Sequence, residues 1–155
     1  MIDTTFAGAD AVSYATVAAA DSYHSLRVRP EWAAVTAVAK EAALIRATDE
    51  IEASFRADGT AKTDTQALQW PRQNQTAIPA NVIKATIELA RHMLTDDPAQ
   101  KVERQVAQQS ESMDGLGGTS VTYESGSHDP YPFVTRLLSG IATRRGAAAS
   151  NLRVS

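Results

Sequence analysis

Ser127-His128-Asp129 places the three residue types of a hydrolase triad side by side. Contiguous residues cannot fold their side chains onto one another in triad geometry, so the spacing excludes that chemistry. Asp129-Pro130 reads instead as a loop entering a helix. His24, His92 and His128 show no His-Glu-x-x-His spacing, and each reads as a surface or partly buried histidine rather than a metal ligand. Asp49, Glu50 and Glu52 could suggest acid–base carboxylates. On a helix they point in different directions and read as its solvated face. Gly115-Leu116-Gly117-Gly118 lacks the Lys-Ser/Thr of a phosphate loop, and no helical pattern follows it. With no cysteine in the chain, disulfides, thiolate metal sites and thiol catalysis are excluded. The expectation is a protein without a catalytic site, metal or cofactor.

The most informative island is Trp70-Pro71-Arg72, set in the polar stretch from Ala61 to Ala77. A tryptophan brings so much apolar surface that it must be buried somewhere. Pro71 restricts Trp70 to extended backbone, and Arg72 can offer a two-pronged fork to a carboxylate. Two readings stay open: a loop pinned to its own core, or an interface plug with an intersubunit ion pair. Charge is also uneven. From Tyr131 onward there are four arginines (Arg136, Arg144, Arg145, Arg153) and no carboxylate, although the whole chain carries a formal charge of -3. A basic end could meet an acidic partner or nucleic acid, or could merely complement a helix dipole. The net negative charge argues against dedicated nucleic-acid binding.

These residues need elements to hold them. At 155 residues the chain reads as a single domain. MIDTTFAGAD has no basic cluster and does not read as a secretion signal. The apolar runs fall short of the roughly 20 residues of a membrane helix. Ala11 to Tyr14 alternates like a short strand. Thr16 is a helix N-cap for a helix from about Val17 to Arg27, closed by Pro30. Leu44, Thr48, Ile51 and Phe55 recur at helical spacing, predicting a long helix from about Thr36 to Ser54 that Asp58-Gly59 ends. Pro79 opens another, striped by Val82, Ile83, Thr86, Leu89, Ala90, Met93 and Leu94 and stopped by Asp97-Pro98. Alternation around Met113 to Gly118 predicts a β-hairpin over about 101–124. Pro130 and Pro132 start a last helix, with Phe133, Leu137, Leu138 and Ile141 on one face, ending at Gly146. The fold class expected is mainly α: a small helical bundle (about 16–98 and 130–145), a protruding hairpin and an extended C-terminal arm over 147–155.

Taken in order, these pieces resemble the head–tail connector (adaptor) proteins of tailed bacteriophages. Tyr14 with Asp21-Ser22-Tyr23 looks like their opening helix, and Trp32 with Lys40 to Asp49 like their long second helix. Gln66-x-Leu68-x-Trp70-Pro71-Arg72, then Ile78-Pro79 and Ala85-x-x-Glu88-Leu89-Ala90, is the most specific part. Pro132-Phe133-Val134, Leu137-Leu138 and the extended Leu152-Arg153-Val154 resemble the closing segment. The resemblance implies a structural virion protein assembled in the host cytoplasm, with no membrane contact. It implies a ring, usually of twelve copies, between the portal protein and the stopper or tail, with packaged double-stranded DNA passing through its lumen without sequence specificity. It makes Trp70, Pro71, Arg72, Leu152, Arg153 and Val154 candidate assembly residues. Some relatives carry the label of DnaT-like single-stranded DNA-binding proteins, which is the alternative function. Single-strand binding usually joins a basic groove to stacking aromatics, and aromatics are few here.

Overall fold

A computed structural model describes residues 2–94 and 129–145. The class is mainly α. The elements are α1 (Val17–Ser25), α2 (Pro30–Ala33), α3 (Ala37–Ser54), β1 (Phe55–Ala57), α4 (Ala80–Met93), α5 (Pro132–Leu138) and β2 (Ala142–Arg144). The expected hairpin over 101–124 and the C-terminal arm over 147–155 lie outside the described residues.

The central layer is α3 on α4, and α5 also packs on α4. On α3 the buried positions are Lys40, Ala43, Leu44, Ala47, Thr48 and Ile51, a stripe at three- and four-residue spacing that turns one face inward. On α4, Val82, Ala85, Thr86, Ile87, Leu89, Ala90 and Met93 do the same. Alanines on both stripes let the two helices approach closely. The two buried threonines satisfy their hydroxyls within their own helices: Thr48 Oγ1 donates to Leu44 O at 2.9 Å and Thr86 Oγ1 to Val82 O at 3.0 Å. Thr16 and Thr36 cap α1 and α3, accepting from Ala19 N (3.1 Å) and Ala39 N (3.4 Å).

Four local expectations need correction. Ala11 to Tyr14 is not a strand. Its amides go elsewhere, Val12 and Ser13 to Asp3 O and Tyr14 to Thr48 Oγ1. Pro30 does not simply close a segment but stands at the first position of α2, where its missing N–H costs nothing. α3 is not ended by Asp58-Gly59, because the chain leaves the helix directly into β1. The last helix stops at Leu138, not at Gly146. Gly140 takes a positive φ of 84° and turns the chain into β2, so Ile141 lies outside the helix. β2 pairs antiparallel with β1 in the register Phe55↔Arg144, Arg56↔Thr143, Ala57↔Ala142. The two strands are far apart in sequence and meet only once the bundle is formed. Among the described residues, no helix is long and apolar enough to cross a membrane.

Candidate nucleic-acid interface

Trp70 is 1% exposed and Pro71 is also buried, so both side chains lie within this chain's own core. Trp70 packs edge-on against Tyr14, with ring centroids 5.6 Å apart, and the Trp70–Pro71 peptide is cis. The Trp70 amide donates to the Tyr14 hydroxyl at 3.3 Å. That hydroxyl in turn donates to Glu52, and Glu52 receives the Gln69 amide. Burial, with the Glu52 charge beside it, pushes the Tyr14 phenol far above its ordinary range. Glu52 is therefore a half-buried acceptor, not part of the solvated face that its spacing suggests.

Arg72 meets no carboxylate among the described residues. Its guanidinium donates to four main-chain carbonyls: Asp58 O (3.0 Å), Gln69 O (2.8 Å), Ala57 O (3.2 Å) and Gly59 O. Gly59 can present its carbonyl there because it adopts φ 82°, a conformation that suits glycine. A second side chain ties the same region. Gln69 Oε1 accepts from Ala57 N at 2.8 Å, and its Nε2 donates to Phe55 O at 3.0 Å and Glu52 O at 3.2 Å. The Trp70-Pro71-Arg72 island thus pins its own loop to β1 and to the turn after it. Leu152, Arg153 and Val154 lie outside the described residues.

What this clamp frames is an open groove of about 780 Å³ lined by Arg56, Asp58, Gln69, Arg72, Thr143 and Arg145. Side chains alternate across a strand, so β2 directs Thr143 outward, opposite Arg56 in the register, and Arg145 follows on the same side. Arg145 is anchored by its amide to Ser54 O (2.8 Å) and by Nε to Phe55 O (3.1 Å). Arg56 is exposed and makes no side-chain bond among the described residues. None of the three arginines has a carboxylate within ion-pair distance among the described residues. Asp58, on the rim, is held at 3.4 Å by Thr143 Oγ1. Arg144 faces the other way, 3.4 Å from Asp129. Counted by charge alone, Arg144 and Arg145 belong together at a helix end, and the structure separates them. The Ser139-Gly140 turn followed by Ile141 and Thr143 is the sequence signal for the strand that does so.

The other positions singled out in the sequence do not converge. His128 and Ser127 lie outside the described residues. Asp129 accepts from Tyr131 N (3.0 Å) and Thr135 Oγ1 (2.5 Å) at the start of α5. His92 stacks on Phe133 with centroids 5.0 Å apart. His24 is 1% exposed, more deeply buried than its spacing suggests. Among the described residues no group of His, Asp and Glu stands together as a metal site. Two polar clusters give no sign of themselves in residue spacing. Trp32 Nε1 and Lys40 Nζ both donate to Asp21 Oδ1, at 2.7 and 2.8 Å. Glu88 accepts from Tyr23 Oη at 2.8 Å and Arg29 Nη1 at 2.6 Å. Burial alone would raise the Glu88 carboxyl, but the bonds from Arg29 and Tyr23 outweigh it and hold the group below its ordinary value.

Fold and site together define a small helical protein carrying a solvent-open, arginine-lined groove on a two-stranded ribbon. The family described as "Putative DnaT-like ssDNA binding protein" matches residues 1–154, and the chain belongs to it. No curated protein matches the chain. No solved structure matches it either.

Proposed function

We propose that the chain is a non-enzymatic protein that binds single-stranded DNA without reading its bases. The observation that carries this is membership of the DnaT-like family over residues 1–154. The arginine groove supports it, since local positive charge can hold a phosphate backbone even on a chain with a net charge of -3. Both tryptophans are about 1% exposed, so the stacking platform common in single-strand binders is not built from them. Affinity is then chiefly electrostatic and falls steeply with salt. Fluorescence anisotropy with labelled single strands of different sequence tests this. Similar affinities for all of them, each falling steeply with salt, are expected. No association at low salt would overturn it.

A second reading, the head–tail connector, is favoured by the ordered resemblance along the chain and by one surface feature. The loop between α1 and α2 displays Leu26 and Val28, 83% and 85% exposed. Val28 is held at φ 51°, which a β-branched residue normally avoids. A displayed apolar pair suits contact between subunits. On this reading the partners are further copies in a ring, the portal and the stopper or tail, and the location is the neck of a virion. Negative-stain imaging of the purified protein with and without a portal distinguishes the two: rings seated on portals support the connector, and a monodisperse monomer in both samples counts against it.

A further inference from the structure

We propose that Arg56 and Arg145, with Thr143 between them, form a cradle for phosphodiester groups, and that Arg72 is its fixed positioning residue. The inference rests on the single-strand reading and names the site at which it would act. Three guanidinium groups border one opening, without an ion-pair partner among the described residues. With the Asp58 carboxylate on the rim the opening is still net positive, and a net positive cluster open to water is stabilised by an anion.

The three arginines divide the work. Arg72 directs its guanidinium into four main-chain carbonyls. It contributes a fixed charge and a rigid floor but has little capacity to fork outward. Among the described residues Arg145 uses only Nε, on Phe55 O, which leaves its terminal nitrogens for a ligand. Arg56 has no side-chain partner among the described residues. In the register Arg56 lies opposite Thr143, so Arg145 stands diagonally from it. That relation separates residues by about 7–8 Å, within reach of long side chains. Two forks can therefore converge on one phosphate or span neighbouring ones, and arginine suits phosphate because its fork matches two oxygens. The Thr143 hydroxyl, which donates to Asp58 Oδ1 at 3.4 Å, would have to turn from that carboxylate to reach a phosphate. Among the described residues no aromatic ring lines the groove, so the chemistry they offer suits the backbone and not a base.

The test compares wild type with Arg56→Ala, Arg145→Ala, the double variant, and Arg136→Ala as a control on an exposed face of α5. Binding of a fluorescein-labelled oligothymidine is followed over a salt series, with circular dichroism to verify folding. Arg56→Ala, which removes no internal bond, is the variant least able to disturb the fold. Each single change is expected to weaken binding about five- to tenfold. Each should also flatten the log–log salt slope by about 0.7 for every phosphate no longer neutralised, while Arg136→Ala changes little. A folded double variant that binds like wild type overturns the cradle and leaves the single-strand reading intact. If wild type binds no single strand, that reading fails, and tripolyphosphate titration followed at the arginine Nε–H resonances decides the cradle alone. Shifts at Arg56 and Arg145 sustain an anion site, and their absence overturns it.

Discussion

The two tryptophans are buried to the same extent and seated in opposite ways. Trp32 sits among charges: its indole N–H goes to Asp21, Lys40 lies 5.6 Å from its ring, and His24 packs against it with centroids 4.6 Å apart. Trp70 packs against the uncharged Tyr14 ring, with one carboxylate, Glu52, behind the Tyr14 hydroxyl. Its loop is fixed by Gln69 and Arg72 on main-chain oxygens, and its indole N–H has no partner among the described residues. Most of the bonds that fix the Trp70 loop go to main-chain groups, which do not titrate, whereas the Trp32 seat rests on a carboxylate and packs against an imidazole, which do. The two seats should therefore answer differently to pH and to conservative substitution, although both hold helices and loops in place.

The largest expected effect is common to both. Trp32→Ala and Trp70→Ala should each cost about 3–5 kcal/mol, measured by urea denaturation. A value below about 1 kcal/mol at either site would remove it from the comparison. Trp→Phe separates them. At Trp32 it also deletes a hydrogen bond to a charged group, worth about 1.5–3 kcal/mol, whereas at Trp70 there is no such bond to lose. Trp32→Phe should accordingly be the more destabilising of the two, and the reverse order would contradict the seats described.

Arg72 gives the next effect. Arg72→Lys keeps the charge but not the fork that reaches four carbonyls, so it should destabilise by about 2 kcal/mol, close to the cost of Arg72→Met. Full rescue by lysine would show that charge, not geometry, holds the loop.

Acid sharpens the comparison. Burial pushes the His24 imidazole below its ordinary 6.5, with the Glu88 charge pulling the other way and Arg29 and Arg91 reinforcing the drop. The unfolded chain then takes up a proton more readily than the folded one. This part of the stability is complete above about pH 6.5 and declines as pH falls through the lower folded value. His24→Phe should flatten that decline, seen as a smaller loss of melting temperature on acidification. Asp21 follows at lower pH. Burial would raise it, but bonds from Lys40 and Trp32 hold it below its ordinary 3.8, so its contribution is present above that value and lost as pH falls further. The smallest effect belongs to Arg91–Glu31, 3.8 Å apart with Glu31 half-exposed. Glu31→Gln should change stability by less than about 0.5 kcal/mol.

The sequence discloses α3 and α4 well because each carries a long apolar stripe and a recognisable start, Thr36 in one and Pro79 in the other. It discloses that Trp70 must be buried, but not against what. β1 and β2 stay hidden because such short strands cannot show a period, and their pairing is fixed by folding across the whole bundle. Asp21, Lys40 and Glu88 are silent for a related reason. Each looks like a surface charge until tertiary packing brings its partner to it. The fork of Arg72 suits a carboxylate, whereas the turn at Gly59 offers carbonyls closer at hand. The Arg56–Arg145 pair is out of reach for as long as the last helix is carried through to Gly146.

Gln69 and Arg72 have one more consequence, for what the ribbon can join. A strand at the border of a sheet exposes unpaired amides and carbonyls that invite a strand from another chain. Along β1 these positions are already filled: Gln69 takes Phe55 O and Ala57 N, and Arg72 takes Ala57 O. The glutamine amide imitates the peptide group of a third strand without supplying one. An intruding chain would have to evict two side chains before it could register with β1, so the sheet is closed to growth on that side.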